Sequence, residues 1–149
     1  MRLAHEHLGG HDMGSGGTMT RLAISTSDAP TPAGPYSQAV CAGPLVLLAG
    51  QGPVRNDGEM VTESFAEQAR QTFTNLAAVA KASGGSLADA VRVGVYLRDM
   101  SNFNEMNEVY RQFFSDPLPA RTTIQSDLPG FEIEADAMLY VPSRSSMRS

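Results

Sequence analysis

Arg121 is the one cation in the stretch LPARTT (118–123), ahead of a run that reads as an extended, partly buried strand. The nearest acids in sequence, Asp116 and Asp127, lie outside the stretch, so no partner at helical i,i+4 spacing explains the charge. Either a distant residue neutralises this guanidinium or a ligand does. Three carboxylates, Glu132, Glu134 and Asp136, alternate through the last strand-like segment. Carried on one face, they repel one another unless solvent or a cation intervenes, and Arg121 is a candidate cation. The register between the two segments is not fixed by sequence, because a slip of one residue reverses which side chains meet. For Glu134 and Asp136 the expectation is a solvated surface ladder.

Histidine chemistry is confined to the opening stretch MRLAHEHLGGHDMGSGG, which holds His5, His7 and His11. A His-x-His pair with Asp12 nearby can bind a metal in principle, but the intervening glycines leave the ligands unsupported, and no metal site is expected. No histidine is left in the body of the chain to serve as base, triad member or ligand. The single cysteine, Cys41, cannot form an intramolecular disulfide.

These side chains must be positioned by a chain of 149 residues, 42% hydrophobic and 18% charged, which fits one domain with a buried core. Residues 1–18 read as a flexible extension and 19–149 as the single domain. A formal net charge of −5 with no run of Lys and Arg makes nucleic acid and anionic membranes poor partners. No segment has the roughly 18 apolar residues that span a bilayer. His5, Glu6, His7 and two glycines interrupt any secretory core, so the expected compartment is the cytoplasm.

The pattern along the domain is clear from Arg21. Segments 21–25 and 36–48 look extended, the second broken at Gly43-Pro44 as a hairpin. The spacing predicts a helix over 62–83, with Ser64 and Glu67 as a capping box, Phe65, Ala69, Phe73, Leu76 and Ala80 on one face, and Gly84-Gly85 as the stop. Val91, Val93, Val95 and Leu97 alternate with Arg92, Gly94, Tyr96 and Arg98 as a strand with one buried face. A second helix carries Phe103, Met106, Tyr110, Phe113 and Phe114 on one stripe, capped by Asp99 or Ser101. Asn107 lies on or beside that stripe and needs partners. Arg121 opens a strand, Pro129-Gly130 turns, and 131–141 forms the last strand, with Phe131, Ile133, Ala135, Ala137, Leu139 and Val141 facing one way. The order predicts an α+β architecture of two layers, a mixed sheet with two helices packed on one face.

Ordered motifs carry a resemblance: APTPAGPYSQAV (29–40), LAGQGPV (48–54), EQARQTFTNLAAV (67–79), VRVGVYLRDMSNFNEMNEVYRQFF (91–114), LPARTT and FEIEADAML. Over about 21–141 the chain resembles the RidA/YjgF family of reactive-intermediate deaminases. The resemblance implies a chorismate-mutase-like fold assembled as a homotrimer with clefts between subunits. It also implies cofactor-free hydrolysis of 2-imino or enamine acids to 2-keto acids and ammonia. By the same likeness Arg121 grips the substrate carboxylate bidentately, and Glu132 positions or activates the attacking water. Tyr36 lines the cleft, Gly50 with Gln51 lets backbone approach the ligand, Asn107 supports the pocket, and Thr123 offers a backbone carbonyl to the same water. Two departures stand out: Ala49 where many relatives carry serine, and a link from Arg121 to Glu132 a few residues shorter. A non-catalytic 2-keto-acid-binding or chaperone-like trimer is therefore the alternative reading, with an endoribonuclease behind it, disfavoured by the acidic balance.

Overall fold

The apolar alternation read from the sequence becomes a six-stranded sheet in the computed structural model, which describes residues 20–146. The expected extension at 1–18 and its histidines lie outside the described residues. The strands are β1 (Leu22–Ile24), β2 (Ala39–Ala42), β3 (Leu45–Gln51), β4 (Ala90–Leu97), β5 (Ala120–Gln125) and β6 (Ile133–Tyr140), and the helices are α1 (Phe65–Ala82) and α2 (Phe103–Tyr110). Their order across the sheet is β1-β2-β3-β6-β4-β5.

Local chemistry sets the boundaries. The β2–β3 hairpin turns at Gly43, whose φ of 58° suits a residue without Cβ. Helix α1 starts three residues later than its periodicity suggests, because Ser64 is extended and its hydroxyl accepts from the Glu67 N–H at 3.1 Å. The expected capping box is half formed, since the Glu67 carboxylate pairs with Arg70. Gly84, at φ 90°, ends the helix as foreseen. Asp99 rather than Ser101 caps the approach to α2, accepting from the Ser101 N–H at 2.8 Å.

Both helices contribute to one core. Phe73, Leu76 and Val79 of α1 and Met106 and Val109 of α2 are buried together with Val46, Val93, Val95, Leu97, Ile133 and Leu139 of the sheet. The last strand alternates as predicted, with Ile133, Ala135, Ala137 and Leu139 inward. Three expectations are corrected. Val91 is exposed rather than buried, because a register shift between Ala90 and Arg92 puts Ala90 in the inner place. Phe131 and Glu132 precede β6 instead of belonging to it. Strands β5 and β6 are not neighbours: β5 runs parallel to β4 after the α2 crossover, and β4 separates it from β6. Arg121 is therefore not the cation facing the acids of the last strand. Arg92 lies 3.9 Å from Asp136 and Arg98 lies 3.7 Å from Glu132.

Candidate active site

Arg121 shares its row with Val93, a core residue, so its side chain leaves edge strand β5 on the helix-covered face. There it meets α2. Its guanidinium lies over the Tyr110 ring at 4.7 Å and the Phe103 ring at 5.6 Å, with Nη1 3.9 Å from the Met106 sulfur. Among the described residues no carboxylate lies within 4.0 Å of it. The salt bridge to Glu132 that would have made Arg121 purely structural is not formed. Aromatic faces favour the cation and hold its planar fork in one orientation, but they satisfy none of its five N–H donors.

Polar atoms without protein partners gather on the same two elements. Asn107 Oδ1 and Tyr110 Oη on α2 and Thr123 Oγ1 on β5 are all buried with no hydrogen bond. Burial pushes the Tyr110 phenol up against the opposing pull of Arg121, so it stays a neutral donor at physiological pH. Asn107, Tyr110, Arg111, Leu118, Pro119 and Arg121 line a cavity of about 350 Å³. Of the residues that the resemblance assigns to the site, Arg121 and Asn107 line this cavity, and Thr123 lies two residues beyond Arg121 on β5. Arg111 went unnoticed in the sequence; its signal is the i+4 spacing from Asn107.

Tyr36 and Gly50 meet elsewhere. They line a second cavity of about 160 Å³ together with Gln51 and the loop that begins at Pro30. Gln38, buried and not singled out beforehand, pins that loop. Its amide nitrogen donates to the carbonyls of Thr26 and Pro30, and its oxygen accepts from the Thr26 N–H at 2.7 Å. The Tyr36 hydroxyl accepts from the Ala33 N–H at 3.1 Å. Gly50 sits where the β3–β6 register shifts, and a Cβ there would stand 3.0 Å from the Glu134 carboxyl carbon.

The acids divide unexpectedly. Glu132 lines neither cavity: its side chain reaches toward Arg98, while its N–H donates to Gln68 and its carbonyl accepts from Arg98 N–H. Glu134 and Asp136 do not form the plain solvated ladder expected of them. Asp136 accepts from the Tyr96 hydroxyl at 2.8 Å, which pushes that phenol up. Glu134 is half buried against Gly50, and burial first, then the Asp136 charge, raises its pKa above the ordinary glutamate value.

The two cavities are distinct within one chain. Gly50 is on β3 and Arg121 on β5 with two strands between them, so three strand spacings separate the two, roughly 14 Å. A small acid held by Arg121 cannot touch Gly50 or Tyr36 of the same chain. Among the described residues no group of three His, Cys, Asp or Glu is placed to hold a metal ion, and no helix is long and apolar enough to cross a membrane.

The chain is similar in sequence and fold to known proteins. A profile described as Endoribonuclease L-PSP matches residues 26–140. A 2-iminobutanoate/2-iminopropanoate deaminase of Dermatophagoides farinae is 46% identical over 121 residues, 79% of this chain and 94% of that protein. A RutC family protein of Pyrococcus horikoshii is 44% identical over 120 residues, 78% of this chain and 95% of that one. The crystal structure of RidA from the Antarctic bacterium Psychrobacter superposes with a TM-score of 0.77 at 40% identity, covering 80% of this chain and 99% of the other.

Proposed function

The chain belongs to the RidA/YjgF family, and from that premise we propose that it is a cofactor-free hydrolase that converts small 2-imino or enamine acids to 2-keto acids and ammonia. The observation that carries the reading is Arg121: a cation with no carboxylate partner among the described residues, fixed on aromatic rings at the edge of a cavity. Its fork suits the two oxygens of a substrate carboxylate. Deaminase-named relatives of similar length support the chemistry.

In the reaction a water oxygen bonds to the imine carbon, protons pass to the nitrogen, the C–N bond breaks, and ammonia leaves a 2-keto acid. Because the imine carbon is already electrophilic, holding the carboxylate and placing one water supplies much of the acceleration. Glu132 is the acid proposed to position that water and return a proton, with the Thr123 carbonyl as a second contact. Asn107 supports the Arg121 pocket, and Tyr36 and Gly50 form the opposite wall. Since one chain keeps these walls apart, the complete cleft forms between subunits of a homotrimer, each site drawing Arg121 from one copy and Tyr36 with Gly50 from its neighbour.

The test is ammonia or 2-keto acid release from 2-iminobutanoate generated in the cuvette. Wild type is expected to exceed the buffer rate, with Arg121→Ala and Glu132→Ala both losing the excess. One feature favours a second reading, a trimer that binds 2-keto acids without turning over imines: Ala49 stands beside Gly50 where the family resemblance implies a serine hydroxyl. A wild type that matches the buffer rate yet binds 2-ketobutyrate through Arg121 establishes it.

A further inference from the structure

The cavity at Arg121 holds a second cation. Asn107, Tyr110 and Arg111 fall on one face of α2 and its C-terminal cap at i, i+3 and i+4 spacing, so Arg111 stands over the same cavity that Arg121 enters from β5. The rest of the lining is Leu118 and Pro119. In a chain with a net charge of −5, this is a cavity with two guanidinium groups in its wall and no carboxylate. The two cations differ in what holds them. Arg121 is partly buried beneath the ring of Tyr110, whereas Arg111 is exposed and pairs with Glu108 at 2.7 Å.

We propose that the preferred substrates are 2-imino dicarboxylic acids of four or five carbons, with the carboxylate beside the imine on Arg121 and the distal carboxylate on Arg111. This rests on the deaminase reading for the reaction but not for the binding. The Arg111–Glu108 pair joins two solvated side chains three residues apart, and such pairs contribute little, so a ligand carboxylate displaces Glu108 at small cost. A ligand with two carboxylates gains a second charge-assisted contact that a monocarboxylate lacks. Asn107 and Tyr110 line the same cavity, and their Oδ1 and Oη atoms carry no protein hydrogen bond. Leu118 and Pro119 leave only the short methylene linker to be covered by apolar surface.

The test compares 2-ketoglutarate with 2-ketobutyrate by titration calorimetry on the full-length protein, wild type and Arg111→Ala, with Arg111→Glu as a charge reversal. Wild type is expected to bind the dicarboxylate roughly tenfold tighter, a preference that Arg111→Ala abolishes and Arg111→Glu inverts, while Arg121→Ala weakens both ligands. In turnover, iminosuccinate made by an aspartate oxidase should exceed 2-iminobutanoate in kcat/KM, and the ratio should fall about tenfold in Arg111→Ala. An absent preference in wild type, or one that survives Arg111→Ala, overturns the proposal. Preferential, Arg111-dependent binding with no hydrolysis of either imine leaves the dicarboxylate site standing and removes the deaminase reading.

Discussion

Single residues carry the chemistry, and they were legible to different degrees. Arg121 was conspicuous because an unpaired cation in a half-buried strand demands an explanation, and the structure gives it rings rather than a carboxylate. Asn107 was conspicuous for the same reason, a polar group beside an apolar stripe. Glu134 was misread, because whether an acid on a strand is solvated depends on the neighbouring strand, here the bulged β3 with Gly50. Its environment has a measurable consequence. Burial and then the Asp136 charge beside it raise the folded-state pKa of Glu134. Between the ordinary glutamate value and the raised one, the folded state binds more protons than the unfolded, and stability falls as pH rises through that window. Above it the ionised carboxylate is a constant cost. Glu134→Gln is therefore expected to raise Tm at pH 7.5, with the gain shrinking to nothing as the pH drops below the ordinary glutamate value. Melting curves across pH 4 to 8 check this, and a Tm difference that is independent of pH would mean that charge is not the cause.

At the scale of elements, what the sequence makes visible is whatever one segment encodes about itself. The serine cap, the 3.6-residue stripe and the Gly84 stop specify α1 locally, and the alternation in β6 survives because its inner face is continuous. Strand order was not visible. Nothing in β6 records that it inserts between β3 and β4, and nothing in β4 announces the irregularity that turns Val91 outward. The element that links core to site is the aromatic cluster between the helices: Phe73 of α1 packs edge-on against Tyr110 and Phe114, which stack at 4.2 Å. Tyr110 in turn carries Arg121. Truncating Phe73, which is fully buried, creates a cavity and is expected to cost about 3–5 kcal/mol. Urea denaturation at a fixed protein concentration measures that loss. In the folded fraction, 2-ketobutyrate affinity should fall as well, because the ring that orients Arg121 loses its backing. Unchanged affinity would show that α2 positions Arg121 without support from α1.

The whole molecule leaves one sheet face without helices. On it Leu45, Leu47, Ile124 and Tyr140 are 39–48% exposed alongside Arg92, Glu134 and Asp136. An apolar surface of this kind on a sheet is a place for another chain to pack. The candidate site is also in two halves, Arg121 of β5 with Asn107 of α2 and Gly50 of β3 with Tyr36 of the loop before β2, and β6 and β4 separate β3 from β5. An interface that joined one half to the other half of a neighbour would use two different patches, and such a heterologous contact closes into a ring when the rotation between copies divides the full turn. Complementation tests this arrangement directly. Arg121→Ala and Tyr36→Ala proteins, each impaired alone, are unfolded together in equal amounts and refolded. If every site takes Arg121 from one copy and Tyr36 from the next, both are intact at about a quarter of the sites by random assembly, and activity returns to that level. If both residues came from the same copy, every site in the mixture would carry one lesion, and activity would stay at the average of the two variants. Recovery to the quarter level, seen only after co-refolding and not on simple mixing of a non-exchanging assembly, would identify the cleft as shared between chains and make assembly a condition of activity.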